Sequence, residues 1–255
     1  MLRNERLQRV AVETSQRQSS RRGFLSGSAK LAGGGALALA LAGSPLSVFA
    51  QDRGGVPGEA NEFPGDLDVL NYALTLEHLE KNFYIQAVEK FSEAEIEDYL
   101  KARRFGPAVY SGAYQRIVNV RNHEITHVKT LQQVIMDLGG DPVPPCEYDF
   151  SAALTDVQTF LGTSAVLENT GVRAYDGAIA LIESRVIQTA SATIATVEAR
   201  HAGYFNLLNK KNPFPQTFDR AILPEQIIEA VLATGLIVSC PVAPPIPDEP
   251  NGCTP

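Results

Sequence analysis

The chain has 255 residues and a formal net charge of −7. Its first fifty residues hold seven Lys/Arg against two Asp/Glu, a net of +5 that leaves −12 on the remainder. An acidic body of that kind is repelled by phosphate backbones, which excludes nucleic acid as a partner, while the roughly two hundred residues beyond the leader suffice for one helical domain with its own core.

In chain order, Ser20-Arg21-Arg22-Gly23-Phe24-Leu25 reads as a twin-arginine export motif. A Gly- and Ala-rich apolar run follows from Leu31 to Ala42, and Val48-Phe49-Ala50 places small residues where a signal peptidase reads them. The competing reading is a transmembrane anchor over Leu31 to Ala50. Gly33, Gly34, Gly35, Gly43, Ser44 and Pro45 interrupt that run. The expectation is therefore a leader over residues 1–50, cleavage after Ala50, a periplasmic, envelope or extracellular destination, and no stable membrane anchor afterwards.

Residues 51–64 form a Gly/Pro-rich linker, and the domain is expected over 65–238. Three- and four-residue apolar steps predict a first helix over Asp66–Lys90 with Asp66 as N-cap. Residues 91–106 are charged and less regular, consistent with a short acidic helix and a turn. Pro107 opens a second long helix that ends at Leu138, before Gly139-Gly140. Residues 141–150 are a Pro-rich crossing. A third helix is predicted over Ser151–Ile182, with Gly162 and Gly171 weakening its continuity. A fourth runs over Val186–Lys210, and a short fifth over Pro224–Thr234. Residues 239–255 are a Pro-rich tail. No stretch alternates with period two, so no sheet is predicted. An extended ten-residue crossing reaches about 30 Å, enough to traverse a bundle. The fold class is all-α: an up-down-down-up four-helix bundle with a long crossover between helices 2 and 3.

Three cysteines lie beyond the leader. In an oxidising compartment Cys146 and Cys240 can pair, joining the crossing to the end of the domain, and Cys240 with Cys253 is the competing choice.

Four helices carry one set of residues: Glu77, then Glu124-Ile-Thr-His127, then Glu168, then Glu198-Ala-Arg-His201. Glu and His three apart project from one side of a helix. Two lone glutamates alternating with two Glu-x-x-His pairs are the ligand set of bundles that hold two metal ions. Carboxylates on core-facing stripes are costly unless they are paired or coordinate a cation. The pattern repeats between halves, because Tyr84 follows Glu77 by seven residues and Tyr175 follows Glu168 by seven. Each Tyr then shares a face with its Glu, as a plain core aromatic or as a phenol bonded to a ligand carboxylate across the site. Glu80, one turn after Glu77, is an alternative ligand, or else a supporting or solvent-facing residue. His78 and His123 point about 100° away from their neighbouring ligands and read as surface or packing residues.

The stretches Leu76-Glu77-His78-Leu79-Glu80-Lys81-Asn82-Phe83-Tyr84, Leu167–Tyr175 and Val197-Glu198-Ala199-Arg200-His201-Ala202 resemble the ferritin-like superfamily, and within it the exported family that includes plant desiccation-related proteins. The resemblance implies a four-helix bundle with a binuclear iron or manganese centre. The 47-residue separation of Glu77 from Glu124, the fifth helix and the tail depart from the storage-shell ferritins. Hard oxygen donors with two imidazoles suit two Fe or two Mn ions. Glu124 and Glu198 are expected to bridge, with Glu77, Glu168, His127 and His201 terminal. The expected reaction is oxidoreduction of O2, peroxide or Fe(II), of ferroxidase, peroxidase or catalase type. The alternative is a non-enzymatic stress or desiccation-related envelope protein with a structural or vestigial metal. A homo-oligomer is compatible with either.

Overall fold

The computed structural model describes residues 64–247. The leader, most of the linker and Cys253 lie outside the described residues. The first helix, α1, spans Pro64–Lys90. A short helix α2, Glu93–Ala102, follows and is closed by a capping box between Ser92 and Glu95. A single turn α3, Pro107–Tyr110, leads to α4, Ala113–Asp137. After the crossing come α5, Val157–Ile179, and α6, Arg185–Leu208. The last helix, α7, spans Pro224–Ala233.

Contacts at the helix ends fix their directions. Tyr114, at the start of α4, donates to the carbonyl of Val88 near the end of α1 at 3.4 Å. Asn71, near the start of α1, meets Asp141 and Val143 just beyond α4. These two helices are therefore antiparallel. Phe160, early in α5, stacks on Phe91 just past the end of α1. At the other end, Asp66 accepts from the amides of Glu183 and Ser184 at 2.8 and 3.0 Å, in the turn between α5 and α6. Asn209, after α6, donates to the carbonyl of Leu161 at 2.7 Å. The order is up, down, down, up. The crossing must climb from the level of Asn71 to that of Phe91, twenty residues of helix or about 30 Å. It does so along α1, with His78 bonded to the carbonyl of Val143 and Phe150 edge-on to Phe83.

Several expectations are corrected. The second long helix does not start at Pro107. The chain breaks at Ser111-Gly112, where Gly112 has φ 72°, and its amide donates to Glu97. A left-handed residue ends one helix and lets another start in a new direction. The third helix starts at Val157 because Asp156 caps it through the amide of Thr159 at 2.8 Å. Asp66 is not the N-cap of α1. It lies inside the first turn, fully buried, and holds the opposite hairpin instead.

A small sheet is also present. Strands β1, Glu147–Tyr148, and β2, Ile237–Ser239, pair antiparallel, Glu147 opposite Ser239 and Tyr148 opposite Ile237, with a register shift between. Strands of two and three residues are too short to show a period, and their pairing partners lie about ninety residues apart, so no local pattern marks them. Cys146 and Cys240 flank the ladder and are bonded to each other. Among the described residues, no helix is long and apolar enough to cross a membrane.

The disulfide closes a separation of 94 residues. In the chain-entropy account a loop of that size contributes about 4–5 kcal/mol. The Cys146→Ser/Cys240→Ser variant should keep its helix content and melt roughly 10–15 °C lower by calorimetry. An unchanged midpoint would show that the crossing is held by packing alone.

Candidate metal centre

The four long helices each bring one or two polar side chains to the same depth of the core. Glu77 comes from α1, Glu124 and His127 from α4, Glu168 from α5, and Glu198 and His201 from α6. The four glutamates are entirely buried, and the two histidines nearly so. Around them the core is apolar, with Leu74, Phe83, Ile117, Phe160 and Phe205 inaccessible to solvent.

The two imidazoles face inward through Nδ1. His127 Nδ1 lies 2.9 Å from Glu124 Oε2, 3.2 Å from Glu77 Oε2 and 3.3 Å from Glu198 Oε1. His201 Nδ1 lies 3.1 Å from Glu124 Oε1, 3.2 Å from Glu168 Oε2 and 3.9 Å from Glu198 Oε1. Two overlapping groups result. Glu77, Glu124, His127 and Glu198 offer donor atoms within 4.8 Å of one another, as do Glu124, Glu168, Glu198 and His201. Either group can hold a metal ion. Glu124 and Glu198 belong to both.

The shared residues are also the unsatisfied ones. Glu124 Oε1 and both carboxylate oxygens of Glu198 are buried and accept no hydrogen bond, although an imidazole nitrogen lies near Glu124 Oε1 and near Glu198 Oε1. The terminal carboxylates are restrained instead. Tyr84, on α1, donates to Glu168 Oε1 at 2.5 Å, and Tyr175, on α5, donates to Glu77 Oε1 at 2.6 Å. Each phenol thus crosses the site to the other hairpin. Buried acceptors are normally paired, so orphaned oxygens at the centre of a carboxylate cluster fit a cation as the missing partner.

The electrostatics follow from burial. It pushes the carboxyls of Glu124, Glu168 and Glu198 up to about 8, with repulsion from Glu198 adding at Glu124 and from Glu168 adding at Glu198. Glu77 goes the other way. Burial opposes its ionisation, but the charge and hydrogen bond of His127 and the Tyr175 phenol outweigh it. His127 is raised despite burial, chiefly by the charge of Glu77. In the metal-free cluster His127 and Glu77 therefore favour each other's charged form, while burial favours the protonated form of the other acids.

Glu80 is neither solvent-facing nor within either group of donors. It is buried, and burial with repulsion from Glu198, Glu168, Glu77 and Glu124 keeps its carboxyl well above the usual range. It lies against Gly171. A Cβ there would come within 3.2 Å of Glu80 Oε1 and 3.3 Å of Glu198 Oε2. Helix α5 runs unbroken through Gly171, so this glycine does not end the helix; its missing side chain makes room for two carboxyls.

The remaining histidines divide. His78 is buried and pins the crossing. His123 is on the solvent side of α4, yet its Nδ1 lies 2.9 Å from His201 Nε2. The 100° offset from Glu124 does turn it away from the cluster, but towards the outer edge of the His201 imidazole on another helix. Only the helix pairing reveals that contact.

The ferritin-like domain family matches residues 65–211. The chain belongs to that family. The matched segment of this ferritin-like protein begins with α1, ends just after α6, and contains every residue of the cluster. Among curated proteins, none matches the chain.

Two outcomes test the cluster. Glu124, Glu168 and Glu198 rise from 4.5 to about 8 on folding. Between those values the folded metal-free chain keeps protons that the unfolded chain has lost, so stability falls as pH rises through the window. Denaturant unfolding of the metal-free protein should show this fall, and a midpoint that is flat or rising from pH 5 to 8 would contradict it. Gly171→Ala gains about 1 kcal/mol of helix preference but crowds two buried carboxyl oxygens, so the metal-free midpoint should change little. The same variant should weaken cation binding by on the order of tenfold, read by calorimetric titration, because the carboxyls beside it must shift.

Proposed function

We propose that this ferritin-like protein holds two divalent cations, iron or manganese, and carries out redox chemistry on a small inorganic substrate: O2, peroxide or Fe(II). The observation that carries the reading is the overlap of the two donor groups through Glu124 and Glu198, three of whose four buried oxygens make no hydrogen bond. Four glutamates and two imidazoles with no thiolate favour hard first-row cations over zinc or copper. Four ionised glutamates would balance two dications.

In this reading Glu77 and His127 complete one position, Glu168 and His201 the other, and the Glu124 and Glu198 carboxylates serve both. When bound, the cations would supply one-electron chemistry and open coordination positions for a small oxygen species. The chain supplies the rest. Tyr84 and Tyr175 orient the terminal carboxylates through their hydroxyls. The apolar shell of Phe83, Phe160 and Phe205 excludes bulk water. Burial of all four glutamates fits a small substrate better than a large one.

We further propose that the mature domain works outside the cytoplasm, after twin-arginine export. The Cys146–Cys240 bond supports this, since structural disulfides persist chiefly in oxidising compartments.

The test is metal content by mass spectrometry together with activity. The protein should take up about two equivalents of Fe or Mn. The Glu124→Ala/Glu198→Ala variant should take up neither and yet fold well without metal, because it lacks two mutually repelling buried acids. Unchanged metal content in the variant would remove the site assignment. Turnover of hydrogen peroxide, or of Fe(II) with O2, by the loaded protein supports the enzymatic reading. Tight binding with no turnover would make the centre structural, as in a stress or desiccation-related envelope protein.

A further inference from the structure

The two halves of the cluster match residue for residue in their donors but not in what stands behind them. His123 precedes Glu124, and the residue that precedes Glu198 in the same way is Val197. His201 turns Nδ1 to the carboxylates and presents Nε2 to His123 Nδ1 at 2.9 Å. The two rings are only 11° from parallel, with centroids 5.2 Å apart. At that separation with a short nitrogen–nitrogen contact, the rings meet edge to edge, which is the arrangement of a hydrogen bond. Among the described residues, the polar contacts of His127 all run through Nδ1. Valine can neither donate nor accept through its side chain.

We infer that His123 is a positioning residue that fixes the tautomer and ring orientation of His201, and so makes the two cation positions unequal. A His201 that gives the Nδ1 lone pair to a cation must carry its proton on Nε2. That proton then points at His123 Nδ1, which accepts it, and the proton of His123 sits on its own Nε2, toward solvent. An imidazole held this way is pre-oriented, and loss of such support typically weakens metal binding 10–100-fold. Among the described residues, His127 has no matching support. The position completed by Glu168 and His201 therefore fills first, and the one completed by Glu77 and His127 fills second. No group beyond those already present is required.

This inference rests on the cation-binding reading, and the experiment separates the two. The full exported-length protein is titrated anaerobically with Co(II), followed by calorimetry and by the visible absorption of the bound ion, for the wild type, His123→Ala and His123→Gln. His123 is solvent-exposed on a helix, so alanine there should not disturb folding. The wild type should bind in two resolved steps. His123→Ala should weaken the tighter step 10–100-fold and leave the weaker one unchanged. His123→Gln, whose amide oxygen can accept from Nε2, should restore most of the loss. Equal affinities in the wild type, no change in His123→Ala, or an equal loss at both steps would overturn the positioning role. A wild type that binds no Co(II) would overturn the cation reading itself, and this inference with it.

Discussion

The structure depends on five carboxyl groups being buried together. Glu77, Glu80, Glu124, Glu168 and Glu198 share one region of the core. Two like charges about 4 Å apart repel by about 4 kcal/mol at an effective dielectric of 20. A domain is stable by only about 5–15 kcal/mol in total. Full ionisation of the set, with nothing to offset it, would therefore exceed what the rest of the fold can supply. Positive charge or protons must accompany these residues in every folded state. In the metal-free cluster the His127 imidazole favours its charged form beside Glu77, and burial favours protons on the other acids. Two dications, as proposed, would satisfy the same requirement without protons, and they would also partner the oxygens that accept no hydrogen bond.

Much of the remaining architecture keeps the four donor helices in register around that charge. The Asp66 carboxylate ties the start of α1 to the turn between α5 and α6. Asn71 and His78 fasten the crossing to α1 on its way up the bundle. The ladder and disulfide at its upper part hold it to the segment after α7. On the far side, Gly177 lets the segment after α6 lie against α5, since a Cβ there would collide with the backbone of Ile222. The apolar packing of Phe83, Tyr84, Phe160 and Phe205 closes the core beside the cluster.

The bundle and the six converging residues were legible in the sequence because both depend on local periodicity. Glu-x-x-His within an apolar stripe places two donors on one buried face whatever the partner helix does. The seven-residue offset of Tyr84 and Tyr175 was likewise visible as a shared face, although the choice between core aromatic and phenol donor required the partner helix. What was not legible needed contacts between distant segments. Asp66 looked like an ordinary helix cap because its true partners lie 117 and 118 residues on. The paired strands are too short to carry a pattern. His123 looked like a surface residue because its partner is on α6. Gly171 read as a weak point in a helix because the two carboxyls it accommodates come from α1 and α6.

The crosswise phenols bear on how the two hairpins relate. Tyr84 belongs to the first hairpin and restrains a glutamate of the second, and Tyr175 does the reverse. A fragment ending before the crossing would own a phenol without its acceptor across the site and a carboxylate that has lost its phenol donor. The complementary fragment would have the same two deficits. Neither half can assemble a finished half-site in isolation, so the two are obligate partners in one interlocked unit despite their internal likeness.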